Sequence, residues 1–66
     1  MEISLNGNRL TLRNVMWKQM FPSIDKAIRE ADVIVGMRIE KNEIEMVCYP
    51  GSEERLKKVA ALLEGK

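Results

Sequence analysis

The chain reads as an α+β domain: a two-layer sandwich in ββαββα order, with a mainly antiparallel sheet of two hairpins and the helices on one sheet face. Two segments alternate apolar and polar residues around short turns, and two others repeat apolar residues at helical spacing. With 66 residues there is room for one core, so residues 1–66 form a single small domain in this reading.

The first hairpin lies in the opening thirteen residues, where Ile3, Leu5, Leu10 and Leu12 alternate with polar residues around Asn6-Gly7-Asn8. A two-residue Asn6-Gly7 turn would pair Ile3 with Leu10. A four-residue loop over Asn6 to Arg9 would pair Leu5 with Leu10 and Ile3 with Leu12. Either register keeps the apolar residues on one face, so sidedness is better specified than pairing. In the second hairpin a turn at Lys41-Asn42 pairs Ile39 with Ile44, Met37 with Met46 and Val35 with Cys48. Outward, Arg38 faces Glu45, while Glu40 faces Glu43 as a like-charged pair that Lys41 could relieve. Gly36 opposite Val47 suggests a bulge, or a place where something packs close to the backbone.

Between the hairpins, Trp17, Met20, Phe21, Ile24, Ile28 and Ala31 follow a helical stripe interrupted by Pro22. A proline inside a helix costs about 3 kcal/mol, whereas at the first helical position it costs little. The preferred reading is therefore a short piece over Val15 to Met20 followed by a helix from Pro22 to Ala31, with one kinked helix as the alternative. The last helix has Ser52 as N-cap, Glu53 and Glu54 in its first turn, Leu56, Val59, Ala60 and Leu63 as its stripe and Gly65 at its end. Both halves thus follow a hairpin with a helix, although their residues match too poorly for a duplication.

Charge names no partner. Eleven basic against ten acidic residues leave +1, which excludes the broad electropositive field of a DNA-wrapping protein. The chain holds one cysteine, Cys48, and no histidine, so an internal disulfide or a cysteine–histidine zinc site has no residues to form it. A domain this small and without a staple is expected to self-associate. A lone cysteine, no signal-like segment and no apolar run of about 18 residues together give the expectation of a cytoplasmic protein with no membrane segment.

Catalytic chemistry finds few candidates, and no catalytic residue, metal ligand or cofactor is assigned. Cys48 falls on the inward face, where a buried thiol is inert filler. Ser23 and Ser52 stand near helix starts, where capping is their ordinary role. Glu43 and Glu45 share a strand face but lack a third ligand, and the glycines never cluster into a phosphate-binding loop.

Two surfaces remain. Val15, Met16, Trp17, Met20 and Phe21 crowd more large apolar side chains into one segment than a helix stripe hides. If Trp17, Met20 and Phe21 turn inward, Val15 and Met16 lean to the rim. The plain reading is a cap on a small core, and the sharper one a docking surface for a second copy or a protein partner. The rival is nucleic acid, held by Arg9, Arg13, Arg38 and Tyr49 on the open sheet face or by Arg55, Lys57 and Lys58 on the last helix. Glu40, Glu43 and Glu45 crowd that sheet face, and the helix cluster has the spacing of a solvated side. The leading expectation is a non-enzymatic interaction module that forms a homodimer, with nucleic-acid binding as the alternative.

Overall fold

The computed structural model describes residues 1–65. Elements follow in the expected order: β1 (Glu2–Asn6), β2 (Arg9–Arg13), α1 (Trp17–Ala31), β3 (Val35–Glu40), β4 (Glu43–Cys48) and α2 (Glu53–Leu63). The four strands form one antiparallel sheet in the order β1-β2-β4-β3, an α+β fold with both hairpins in the same sheet.

Each hairpin closes over two residues. In the first, Leu5 pairs with Leu10 and Ile3 with Leu12, the second of the two registers, and the ladder gains Asn6↔Arg9 around Gly7-Asn8. Gly7 has φ +62°, a backbone angle open to glycine without steric cost. In the second hairpin every expected pair is present, from Val35↔Cys48 to Glu40↔Glu43. The ladder runs unbroken through Gly36↔Val47, so the suggested bulge is absent.

The hairpins join through β2 and β4, which set Leu10 opposite Met46 and Leu12 opposite Ile44. These four side chains are buried, together with Cys48 on β4, Ile24, Ala27 and Ala31 on α1, and Leu56, Val59 and Ala60 on α2. One sheet face is therefore sealed under both helices. The end of β4 is tied down by Asn8, whose carbonyl accepts from the Cys48 N–H and whose Nδ2 donates to the Cys48 carbonyl at 3.1 Å. Outer strands are less well covered: Ile3, Leu5, Val35 and Met37 are only half-buried. Ile39, expected to face the core like its neighbours, keeps the right side of the sheet but remains 41% exposed.

The middle segment departs most from expectation. A single helix runs from Trp17 through Pro22 to Ala31, so the preferred split at Pro22 is replaced by the continuous alternative, and Ser23 lies inside the helix. Pro22 removes the N–H that would reach the Lys18 carbonyl, but both residues are exposed, and water can satisfy that acceptor. Helix continuity keeps Met20 packed on the same core as Ile24 and Ala27. At its far end α1 stops on Asp32 in the left-handed region, φ 54°, with N–H groups of Asp32 and Val33 returning to carbonyls of the last turn.

In α2, Ser52 occupies the cap position without a side-chain capping bond. Glu53 instead braces the turn ahead of the helix, its Oε1 accepting from the Gly51 N–H at 2.8 Å. Gly65, at φ +80°, follows the last turn as expected.

Two stability predictions follow from this packing. Leu56→Ala, at a site with no exposed surface, should cost about 2–5 kcal/mol, enough to unfold much of a domain of this size at 25 °C. Pro22→Ala should instead stabilise by about 1–2 kcal/mol by restoring a helix bond. Chemical denaturation of the two variants beside the parent measures both signs.

Candidate functional site

The helix and sheet geometry decides which of the candidate side chains share a surface. The N–H of Val15 donates to the Asn42 carbonyl at 3.3 Å, and this fastens the start of α1 to the tip of the β3–β4 hairpin. Met16, Trp17 and Lys18 border a shallow hollow there with Lys41 and Asn42. Since α1 begins at that tip and ends just before β3, it runs antiparallel to β3. Fifteen helical residues at about 1.5 Å each match six strand residues at about 3.3 Å each, so helix and strand have nearly equal lengths.

Rotation along α1 sorts its side chains. At about 100° per residue, Trp17, Phe21 and Ile28 fall within one narrow stripe. Met20, Ser23 and Ala27 fall on the other side of buried Ile24 and border the groove against Leu62 and Leu63 of α2. Because α2 lies over β1 and β2, the Trp17–Phe21–Ile28 stripe faces the opposite flank, along the outer edge of β3.

That flank is apolar and open. Met16 is 62% exposed, Trp17 and Phe21 are each 42% exposed, and Ile39 on the edge strand β3 is 41% exposed. Trp17 and Phe21 hold each other edge to face, with ring centroids 6.3 Å apart and planes at 86°, a geometry aromatic pairs favour. The expected division of the segment is thus partly reversed. Val15, expected at the rim, is buried, while Trp17 and Phe21, expected inward, form the exposed ridge. Met20, on α1, is half-buried against the core as expected, and Met16 does lie outside. Ile39 is the member that sequence reasoning missed: its apolar alternation reads as core, and only the strand order β1-β2-β4-β3 places it at a sheet edge.

The basic residues separate into two unrelated groups. Arg9, Arg13 and Arg38 lie on the open sheet face, each beside glutamate. Glu45 sits between Arg9, at 3.8 Å, and Arg38, at 3.7 Å; Arg38 also meets Glu40 at 3.4 Å, and Arg13 Nε donates to Glu43 at 3.2 Å. These contacts offset the Glu40–Glu43 repulsion through two arginines rather than through Lys41. Tyr49 is exposed at the far end of β4, beyond this lattice and beside exposed Ile34.

The α2 cluster has a structural occupation. Arg55 donates to the Asp32 carbonyl at 2.8 Å, and Lys58 Nζ lies 3.5 Å from the Glu30 carbonyl, both at the negative end of α1. Lys57 pairs with Glu54 at 3.7 Å. Two of the three cations therefore serve helix termination.

Other chemistry is sparse. The Cys48 thiol is buried at 3% exposure beneath the helices. Among the described residues no group of three or more potential metal-ligating histidine, cysteine, aspartate or glutamate side chains comes together, and no helix is long and apolar enough to cross a membrane. Compared with protein-family models, curated proteins and solved structures, the chain matches none.

Arg55→Ala should lower stability by about 0.5–1 kcal/mol, the range for an exposed charge-assisted contact, while Lys57→Ala should leave it within about 0.5 kcal/mol of the parent. Thermal melts at matched ionic strength compare the two. Equal losses would remove the terminating role given to Arg55.

Proposed function

We propose that this chain is a non-enzymatic interaction module of a reducing, cytoplasm-like compartment that associates with a second copy of itself through the flank formed by α1 and β3. The observation that carries the reading is the partial exposure of Met16, Trp17 and Phe21 at the start of α1 together with that of Ile39 on the edge strand β3, four large apolar side chains left uncovered. Scattered apolar residues are normal on a protein surface, but a contiguous set bordered by polar residues is the usual mark of a contact site. Tryptophan and other aromatic residues are also the side chains most enriched at energetic centres of interfaces.

Self-association suits the rest of the molecule. A 66-residue chain buries only about 60% of its unfolded surface, and covering this flank adds to a modest core. A net charge of +1 offers little repulsion between copies. A phosphate-binding reading has less support, because the sheet arginines face glutamates and two helix cations cap α1.

Sedimentation from low to high micromolar concentration should show a reversible monomer–dimer equilibrium, with Trp17 emission shifting to the blue as the dimer forms. A strict monomer throughout, with unchanged emission, refutes self-association. Oligonucleotides at low salt should not bind; a tight complex that weakens steeply with salt would favour the nucleic-acid reading instead.

A further inference from the structure

We infer that the second copy docks edge to edge: β3 pairs antiparallel with β3 of the partner copy about a two-fold axis at Met37, making one eight-stranded sheet and bringing the two Trp17–Phe21 ridges together above the seam. This inference rests on the self-association reading and adds the surface, the symmetry and the register.

The sheet has two open edges, and they are not equivalent. At the β1 edge, Met1 and Ile3 border a hollow closed on one side by Leu63, the last residue of α2, and the following Glu64, so the helix layer reaches that strand. At the β3 edge the helix layer presents aromatic rings outward instead. Proteins protect open edges with proline, bulges or inward charges. β3, like β1, has no proline and runs unbulged, so the edges differ in the helix layer above them; β3 points Val35, Met37 and Ile39 to the helix side and Arg38 and Glu40 to the other.

Register follows from facing. Directly opposed residues in an antiparallel pair share a sheet face, so only registers that pair odd with odd positions keep the apolar side continuous. Two of these pair five β3 residues with five of the partner. Centring on Arg38 sets two arginines face to face, which is unfavourable. Centring on Met37 opposes Val35 to Ile39, Met37 to Met37 and Gly36 to Arg38, with no like charges directly opposed and the two Arg38 side chains only diagonal neighbours. It also brings Lys41, which has no ion-pair partner among the described residues, toward the partner's Asp32, whose carboxylate is 96% exposed and meets Arg55 of its own copy only at 3.8 Å.

Gly36 supplies an independent observation. Its φ is not in the left-handed region, and a Cβ built there would meet only the Val47 carbonyl oxygen at an ordinary 4.0 Å. Nothing inside one copy requires glycine, which weakens a strand. In the Met37-centred register Gly36 faces Arg38 of the partner copy, and its missing side chain leaves room for the long arginine stem to lie across the seam.

A standard interface takes about 800 Å² from each partner, roughly a sixth of the 4599 Å² surface. This flank spans both layers of the molecule along the full length of β3.

Cross-linking tests the register directly. Met37→Cys alone should form a disulfide-linked dimer under mild oxidation by oxidised glutathione, and a mixture of Gly36→Cys with Arg38→Cys should form the mixed dimer. One of these two pairs must be the close, non-hydrogen-bonded type, and both separations suit a disulfide. The parent, with only buried Cys48, should not cross-link. Arg38→Cys linking to itself, with Met37→Cys inert, would overturn the Met37 axis in favour of the Arg38 one. Ile39→Lys and, on the helix layer, Phe21→Glu should each weaken the sedimentation dimer at least about tenfold while far-ultraviolet dichroism stays that of the parent. A dimer that survives both variants and yields no cross-link overturns the edge pairing but leaves self-association standing. A parent monomeric at every concentration overturns both.

Discussion

Everything in this molecule is arranged around the pairing of β2 with β4. Those strands bring Leu10, Leu12, Ile44 and Met46 onto one face, and each of the four is sealed from water. Burying such side chains contributes roughly 1.5–3 kcal/mol each, a large share of the favourable terms open to a small domain. A slip of one residue would turn the whole set to the solvent face. The helices then have little choice. Each must cover that face, and the connections through Asn14 and Pro50 place α2 over the first hairpin and leave α1 beside the second.

The two faces of the sheet divide their labour in chemical terms. One is dry and apolar. The other is a lattice of alternating charges in which Glu45 lies between two arginines and Arg13 reaches Glu43. Such exposed pairs stabilise little individually, but they consume the face's charge locally and leave it without a dominant field. A surface neutralised in this way is a poor platform for a polyanion. The apolar flank beside β3 has no such internal compensation.

Much of the fold could be read from residue order because its signals are local. Asn6-Gly7 and Lys41-Asn42 marked the hairpins, alternation fixed which side chains face inward, and the stripe from Leu56 to Leu63 marked α2. The failures at the apolar flank share one cause: they depend on which strands end up at the edges. Ile39 and Met37 have the alternation of core residues, and nothing in their neighbours says that β3 is outermost. Trp17 and Phe21 occupy the same helical stripe as Ile28, and whether that stripe meets the sheet or overhangs its margin is set by α2 occupying the other half of the roof. Pro22 misled for a different reason. A local penalty at an exposed position was outweighed by continuous packing of Met20, Ile24 and Ala27.

The order β1-β2-β4-β3 also governs how the chain finds its shape. Each hairpin closes between neighbouring residues and can form on a microsecond scale, whereas Leu12 and Ile44, partners at the centre of the sheet, must meet across the whole of α1. That long-range closure carries the entropic cost of ordering the intervening chain. The search is therefore slowest at the seam between two preformed ribbons, and until that seam closes the aliphatic face of each ribbon stands open to its neighbours in solution.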